Sequence, residues 1–212
     1  MSDSVQWVTI FFFKEFVDKA QLQAFERFRG AFQKQWGHLF SEHGQWHGRE
    51  VGKRERLWEV IFWKDKHSDE LCRSDPVFQA FEREFFAKVA PIDQIWAGLP
   101  VRGTPLHQVL AAGVVLLGYY SLTPAQSPSG FDNLTQQFLD QLDCPGWQGM
   151  AYISAADAYG EALSMGAWDS IEASAQLGAD GRFVDLLAEA NDAFDAMNRT
   201  FMAHVKFQKH VM

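Results

Sequence analysis

The chain has 212 residues, of which 47% are hydrophobic, enough for a packed core in one large domain or two small ones. Its formal net charge of -8 argues against nucleic acid or an anionic membrane as partner, because both bind clustered positive charge. No window offers the ~20 uninterrupted apolar residues of a membrane-spanning helix. The two cysteines, Cys72 and Cys144, are too few for a disulfide framework. The sequence therefore predicts a soluble, cytoplasmic protein.

The first elements alternate between strand and helix. Residues 5–13, VQWVTIFFF, are β-branched and aromatic, which is typical of a buried strand. A helix is predicted over residues 15–36, because apolar side chains recur there at steps of three and four. Residues 43–51 and 56–64 are two further predicted strands, joined by a polar GKRE turn. The apolar stripe of the helix consists of Leu22, Phe25, Phe28 or Arg29, Phe32 and Trp36.

A second helix is predicted to begin within SDPVFQAF. Ser74 or Asp75 is its predicted N-cap, and Pro76 occupies the first helical position. The stretch IDQIWAGL then forms a fourth strand. The resulting order is βαββαβ, with an antiparallel sheet and helices on one side. The buried face of the second helix is predicted to consist of Phe78, Phe81, Phe85 and Val89.

The second half of the chain repeats landmarks of the first. An offset of 105 residues takes Trp63 to Trp168, and later aromatic positions follow the same offset. Upstream the offset is 101, from Trp46 to Trp147, so that a W-x-G sequence precedes a strand in each half. A constant offset indicates duplicated architecture. We predict two domains, residues 1–103 and 104–212, with a linker near residues 99–108. The loop TPAQSPSGF in the second half is either a pocket cover or a plain flexible loop.

Two stretches carry a family resemblance: IFWKDKHSDELCRSDPVFQAF and, more loosely, GAWDSIEASAQLGADGRFVDLL. They resemble the antibiotic-biosynthesis-monooxygenase (ABM) type of the dimeric α/β-barrel superfamily. The resemblance implies an α+β fold in which the antiparallel sheets of two ferredoxin-like units pair into a barrel, here as an intramolecular pseudo-dimer. Whether two such chains also form a homodimer stays open.

Members of this superfamily include cofactor-independent oxygenases of polyketide-like phenols, haem-degrading oxygenases, cyclases or isomerases, and stress-response proteins. They often carry a His in the short helix after the Trp. Here Cys72 and Arg73 stand near that position in the first copy, and Gln176 and Leu177 in the second. The resemblance therefore supplies no haem ligand.

Alternating polarity predicts which strand residues face the barrel interior. The apolar sets Trp58, Val60, Phe62 and Leu163, Met165, Ala167 are assigned to the helices. The opposite sets are predicted to line the interior: Glu59, Ile61 and Trp63 from the first copy, and Ser164, Gly166 and Trp168 from the second. On the last strand, Thr200, Met202 and His204 are predicted to face inward. The predicted substrate-binding residues of these strands are Ile61, Trp63, Ser164, Trp168, Thr200 and Met202.

Glu59 and His204 are the candidate catalytic acid and base, because desolvation moves the pKa of both groups toward neutrality. The structural alternative is an ion pair for Glu59, for example with Arg199, and a simple hydrogen bond for His204. Tyr119 and Tyr120 point to opposite faces of their strand, so one should reach the interior whichever face that is. That tyrosine could donate a hydrogen bond to a phenolate or carbonyl oxygen, so Tyr119 and Tyr120 are both catalytic candidates.

His43 and His47 are candidate substrate-binding residues at the cavity mouth. On a strand they share one face with Gln45, but about 13 Å separates their Cα atoms at ~3.3 Å per residue, too far to share one ion. We therefore predict no metal site. Trp46 and Gly48 occupy the other face, which predicts that the repeated W-x-G sequence is a packing device.

The sequence contains no dinucleotide-binding, Walker A, nucleophile-elbow or H-E-x-x-H motif. What remains is an aromatic-rich cavity with few polar groups, which suits a small apolar ligand. The leading hypothesis is a cofactor-independent monooxygenase of secondary metabolism that acts on an aromatic or polyketide-like molecule. The alternatives are a cyclase or isomerase on the same substrates and a non-catalytic protein that binds a small ligand, haem included, or serves the stress response.

Overall fold

The computed structural model describes residues 6–13, 19–88, 92–121, 136, 144–154, 161–176 and 198–210. Contacts divide the chain into two compact units: unit 1 comprises Met1–Pro100 and Gln208–Met212, and unit 2 comprises Val101–Phe207. No helix in the described ranges is long and apolar enough to cross a membrane. The closure of the two sheets into one barrel stays a prediction.

Unit 1 has the predicted βαββαβ order. Its sheet has the strand order β4-β1-β3-β2, with antiparallel neighbours throughout. Helices α1 and α3 pack on one face of this sheet through the aromatic side chains of their buried stripes. The elements are β1 (Trp7–Phe13), α1 (Lys19–Trp36), a 3-10 turn (Gly37–Leu39), β2 (Phe40–Glu50), β3 (Lys53–Trp63), α2 (Lys66–Ser74), α3 (Pro76–Lys88) and β4 (Ile92–Pro100).

Short side chains define where the helices after β3 begin. Asp65 caps α2, because its Oδ1 accepts a hydrogen bond from the Ser68 N–H at 2.7 Å. The predicted cap of α3 is confirmed: Asp75 Oδ1 accepts from the Val77 N–H at 2.8 Å, and Pro76 is the first helical residue. These caps set where α2 and α3 begin.

The hairpin between β2 and β3 is tighter than predicted. Only Val51 and Gly52 form the turn, and Gly52 has a φ of +82°, which a glycine adopts without steric cost. The prediction of a GKRE turn was therefore wrong, since Lys53 already belongs to β3. The polar residues of this segment form ion pairs between the two strands, since Lys53 and Arg56 both contact the buried carboxylate of Glu50.

Unit 2 repeats the strand order of unit 1. Its sheet is ordered β9-β6-β8-β7-β5. Without the short edge strand β5, this order matches β4-β1-β3-β2 of unit 1 strand for strand: β9 corresponds to β4, β6 to β1, β8 to β3 and β7 to β2. The α+β class with ferredoxin-like units is thereby confirmed. The elements are β5 (Arg102–Gly103), α4 (Leu106–Leu110), β6 (Val114–Ser121), β7 (Trp147–Ser154), β8 (Glu161–Trp168), α5 (Ile171–Gln176) and β9 (Asn198–Lys209).

The strand pairing shows which residues of the two units correspond. Trp63 pairs with Phe40, and Trp168 pairs with Trp147. The counterpart of Trp147 is therefore Phe40 and not Trp46, which pairs with Val60 on the other face of its sheet. The interpretation of W-x-G as one packing device used twice was wrong, because the two tryptophans do not share a register. The TPAQSPSGF loop and the repeat positions between 177 and 197 lie outside the described residues.

Candidate functional site

Unit 1 contains a cleft between its sheet and the helices α1 and α3. Its free space is about 440 Å³, part of which lies in the open mouth. All of its lining residues belong to unit 1, and most of them are phenylalanines. The lining residues are Phe11, Phe13, Phe25, Phe28, Arg29, Phe32, Glu59, Ile61, Phe78, Phe81, Glu82, Phe85 and Phe86.

Helical spacing in the sequence builds this lining. Phe25, Phe28 and Phe32 follow one another at steps of three and four on α1, and Phe81 and Phe85 do so on α3. The rings meet edge to face: the Phe28 centroid lies 5.3 Å from that of Phe81 and 5.4 Å from that of Phe85. The helices thus form an apolar roof over the sheet, on which a planar ligand can stack.

Glu59 is the acidic group of β3 that lines this cleft. On the sheet it pairs with Phe11 of β1 and with His47 of β2, so these three side chains form one row under the helices. Its side chain is buried, and burial raises the pKa of Glu59 to about 8. The positive charge of Arg29 opposes this shift, and the negative charge of Glu26 adds to it. At neutral pH the carboxyl is therefore mostly protonated.

Arg29 of α1 lies above the same row. Its Nη1 donates to Nδ1 of His47 at 2.5 Å, and its Nη2 donates to Glu26 Oε2 at 2.5 Å. Because a guanidinium can only donate, Nδ1 of His47 must accept, and the ring proton lies on Nε2. Burial, together with the positive charge of Arg29, lowers the pKa of His47 to about 4. His47 is therefore neutral at physiological pH and holds Arg29 as a hydrogen-bond acceptor.

The predicted orientation of β3 was wrong. Ile61 and Trp63 pack with Phe32, Trp36 and Phe78 of the helices, and Glu59 lines the same side. The reason is that both faces of β3 are buried: Trp58, Val60 and Phe62 are 0 to 1% exposed, although they lie on the other face. Alternating polarity identifies the covered face only where the other face meets water.

A buried polar network holds Trp63 in place. Trp63 Nε1 donates to Thr9 Oγ1 at 2.9 Å, and that hydroxyl donates to Asp69 Oδ1 at 3.3 Å. Arg73 completes the network, since its Nε donates to Asp69 Oδ1 at 2.8 Å and its Nη2 donates to Thr9 Oγ1 at 3.2 Å. The network ties α2 to β1 and β3 beside the cleft. Trp63 thus has a structural environment, and its role in substrate binding stays a prediction.

The predicted orientation of β8 in unit 2 was wrong for the same reason. Trp168 packs against Ile171 and Ala173 of α5, so its face is the one that this helix covers. Ser164 and Gly166 belong to the same face by alternation, whereas Leu163, Met165 and Ala167 lie on the other.

His204 of β9 lies on the helix-covered face of unit 2. Its Nε2 lies 3.0 Å from the hydroxyl oxygen of Ser174 in α5, and burial lowers its pKa. The interior orientation predicted for His204 was thus wrong. A cavity shared with Glu59 stays a prediction.

Tyr119 is buried on the Leu163 face of unit 2, as its pairing with Leu163 requires. The side chains of Tyr120, Thr200 and Met202 lie outside the described part of the structure, so their predicted roles stay predictions.

His43 lies on a different face from His47. Its ring contacts Phe62, whereas Gln45 and His47 pair with Ile61 and Glu59. The register of β2 shifts between Phe40 and Gln45, and Gly44 within this shift has a φ of +65°. The prediction that His43 and His47 share one face was wrong, because a bulge changes the alternation. His47 alone belongs to the row of Glu59.

Sequence reasoning missed Arg29 as a site residue. Arg29 enters the sequence-based prediction only as an alternative to Phe28 in the apolar stripe of the first helix. The signal that could have identified it is a charged residue at a core position of an amphipathic helix. The resulting site joins a protonated carboxyl, a fixed guanidinium and a neutral imidazole to an aromatic cleft. Such a set can move a proton and bind an oxygen atom of an aromatic molecule.

No family model matches the sequence, and no curated relative matches it either. Solved structures do resemble it. An anthrone oxidase-like protein has a TM-score of 0.70 at 13% identity, covering 97% of this chain and 92% of its own. A candidate monooxygenase from Fusobacterium nucleatum has a TM-score of 0.62 at 11% identity, covering 97% and 93%. A candidate chlorite dismutase has a TM-score of 0.61 at 10% identity, covering 97% and 96%.

Identities this low show a shared fold alone. The chain has a ferredoxin-like α+β fold that it shares with solved proteins named monooxygenase, monooxygenase-like or anthrone oxidase-like, so the predicted resemblance is confirmed at the level of fold alone. Both units take part in it, because each match covers nearly the whole chain.

Proposed function

We propose that this protein is a small-molecule enzyme of secondary metabolism that oxidises an aromatic or polyketide-like phenol or enol with dioxygen, without a bound organic cofactor. The observation that carries the proposal is Glu59, a buried carboxyl with a pKa of about 8 in the floor of a phenylalanine-lined cleft. A base whose pKa lies near the working pH is the group that such a reaction needs. The phenyl rings would hold the flat substrate against it.

Ionised Glu59 removes a proton from the substrate and leaves an electron-rich carbanion, delocalised onto the substrate oxygen. The carbanion transfers an electron to dioxygen, and the resulting radicals combine to form a C–O bond. The resulting peroxide anion takes the proton back from Glu59, and the hydroperoxide then loses water to leave a carbonyl group. For anthrone the sum is anthrone plus dioxygen giving anthraquinone plus water, which balances without an external reductant. The protein supplies the base, the apolar cleft and the exclusion of water.

Anthrone is a suitable first substrate, because a structural neighbour is anthrone oxidase-like. Oxygen uptake and anthraquinone formation should exceed the spontaneous reaction, and Glu59→Gln should lower kcat by about 10²- to 10⁴-fold. The matched control is Glu55→Gln, on the same strand but exposed, which should leave kcat unchanged. Equal rates for the wild type and Glu59→Gln would remove Glu59 from the mechanism. Binding of anthrone without turnover would favour the ligand-binding alternative.

The pH profile provides a second test of the base. The charged and titratable groups around this site are Arg29 and Glu26 of α1, His47 of β2, Glu82 of α3, which also lines the cleft, and His210 after β9. Since the ionised form is active, kcat/KM should rise with pH and level off above about 8. The background oxidation of anthrone, which also rises with pH, is subtracted at each point. A profile that is flat between pH 6 and 9, a range chosen to bracket that pKa, would contradict the role.

A cyclase or isomerase is the second candidate function. The same pKa favours it, because a carboxyl that titrates near neutral pH can return the proton to a different atom of the substrate. Turnover of polyketide-like substrates under anaerobic conditions distinguishes the two candidates. Product formation that needs dioxygen supports the oxygenase, and product formation without it supports the isomerase.

A further inference from the structure

Arg29 is held by its neighbours in a way that leaves one of its three guanidinium nitrogens, Nε, without a hydrogen-bond partner among the described residues. Its Nη1 and Nη2 groups bind His47 and Glu26, each at 2.5 Å, and its guanidinium carbon lies 5.6 Å from the centre of the Phe25 ring. The side chain is 5% exposed. These contacts fix the plane of the guanidinium, so the direction of the remaining Nε–H is fixed as well.

That remaining group has no partner. Arg29 Nε is buried and makes no hydrogen bond to any described residue, although Arg29 lines the cleft. Leaving a buried donor unpaired, and more so on a charged group, costs free energy that a folded protein normally avoids. The cleft is lined mostly by phenyl rings, and neither of its two acidic groups, Glu59 and Glu82, accepts a hydrogen bond from Arg29 Nε, so a ligand in the cleft is a natural source of an acceptor.

We propose that Arg29 binds the ionised oxygen of the substrate through Nε–H, which makes the ligand class an aromatic molecule with an acidic O–H group or the equivalent enol. The inference rests on the proposed function and deepens it: Arg29 holds the oxygen on which negative charge develops when Glu59 takes the proton. A charge-assisted hydrogen bond of this kind is stronger than a neutral one.

The charges are consistent with this arrangement. When Glu59 has accepted the proton it is neutral, and the single negative charge lies on the substrate oxygen beside Arg29. Before the transfer the same charge lies on Glu59, which already interacts with Arg29. Glu26, which is 44% exposed, keeps its own contact with Nη2 throughout. His47 is neutral and adds no charge, so one negative charge moves between two positions near one guanidinium.

Two small probes separate recognition of the oxygen from stacking in the cleft. 4-Nitrophenol ionises near neutral pH and its phenolate absorbs visible light, whereas 4-nitroanisole has the same ring with a methylated oxygen and cannot ionise. Binding is measured by titration, its place by the resonances of the cleft phenylalanines, and ionisation by the absorbance of the bound phenol. Arg29→Met is the test variant, and Arg27→Met, exposed on the same helix, is the matched control.

We expect Arg29→Met to weaken 4-nitrophenol binding by roughly 10- to 100-fold and to raise the pKa of the bound phenol, with little change for 4-nitroanisole. Arg27→Met should change neither. Equal effects on both probes, or no effect on either, would overturn the inference and leave the proposed function standing. Failure of both probes to bind the wild type in the cleft would overturn both.

Two further variants keep the test decisive. Arg29→Lys retains the charge but lacks the fixed Nε–H, so it should fold as the wild type and still lose most of the preference for the phenol. This covers the case in which Arg29→Met is unstable, and full retention of the preference in Arg29→Lys would overturn the inference. Glu59→Gln should still bind the phenolate through Arg29, whatever its effect on turnover.

Discussion

The two units carry different chemistry at equivalent positions of their two sheets. In unit 1 the row across the sheet consists of Phe11, Glu59 and His47, and in unit 2 the paired row consists of Gly118, Ser164 and Tyr152. One strand order thus supports a buried carboxyl beside an imidazole in unit 1 and a hydroxyl beside a phenol in unit 2. The fold does not dictate the chemistry of this position, since it fixes only where the side chain points.

The tryptophans at the ends of β3 and β8 show the same contrast. Trp63 Nε1 donates to the hydroxyl of Thr9. Trp168 Nε1 is buried and has no partner among the described residues, because Leu116 stands in unit 2 where Thr9 stands in unit 1. In unit 1 the tryptophan therefore lies in a polar hydrogen-bond network, and in unit 2 it packs in an apolar cluster with Val114, Ile171 and Ala173.

The largest expected effect concerns the buried carboxyl that only unit 1 has in this row. The pKa of Glu59 is about 8 in the folded state against an ordinary value of 4.5, so the folded protein keeps a proton that the unfolded chain releases between these values. Stability should fall as pH rises through this range and stay lowered above it. Glu59→Gln cannot ionise, so it should be more stable than the wild type by a few kcal/mol at pH 9 and similar at pH 4.

Urea unfolding at several pH values measures this difference. Ser164→Ala is the matched variant in unit 2, and its stability relative to the wild type should not depend on pH. A parallel pH dependence of the wild type and Glu59→Gln would show that Glu59 is not the titrating group.

The next effect tests the polar network of Trp63. Thr9→Val removes the oxygen that binds Trp63, Asp69 and Arg73, and leaves the indole N–H buried without a partner. We expect a loss of about 1–3 kcal/mol in the free energy of unfolding. Thr9→Ser keeps the hydroxyl and should lose clearly less, as chemical denaturation would show. A cost as large for Thr9→Ser would mean that packing of the methyl group, and not the hydrogen bond, matters at this position.

A smaller effect involves His47. Its pKa is about 4 in the folded state against an ordinary value of 6.5, so the unfolded chain binds a proton that the folded protein excludes. Stability should therefore fall as pH drops from about 6.5 to about 4, by about 1 kcal/mol because the side chain is only partly buried. His47→Gln keeps an acceptor for Arg29 and should remove this acid sensitivity. The unfolding temperatures of both proteins are measured at pH 4.5 and pH 7. If His47→Gln loses as much in unfolding temperature between pH 7 and pH 4.5 as the wild type does, His47 is not the group that causes the acid sensitivity.

The smallest effect is expected for His204 in unit 2. Replacing it by Gln removes one hydrogen bond to Ser174 and should cost about 0.5–1.5 kcal/mol. Because the proposed site lies in unit 1, we expect kcat with anthrone to stay within about 2-fold of the wild type, well below the effect of a catalytic base. A collapse of turnover in folded His204→Gln would restore the sequence-based hypothesis that Glu59 and His204 act together.

Several features of the fold follow from the sequence alone. The periodicity of α1 places Phe25, Phe32 and Trp36 on one buried face, and the structure confirms it. The Asp75 and Pro76 pair predicts the start of α3 to the residue. These features are local, because capping and helical periodicity depend on neighbours within a turn or two of the chain.

Only the tertiary structure decided which face of each strand the helices cover. Glu59 and Trp63 lie under the helices, whereas polarity predicted the reverse. The prediction failed because both faces of β3 are buried and both are mostly apolar. The bulge at Gly44 then separated His43 from His47, which a strict alternation of two residues does not allow. Arg29 became a site residue only when α1 was placed over β2, since the contact with His47 joins positions 18 residues apart. The sequence by itself thus determined the elements and their order, while packing between elements determined the candidate site, because long-range contacts leave no periodic trace in the chain.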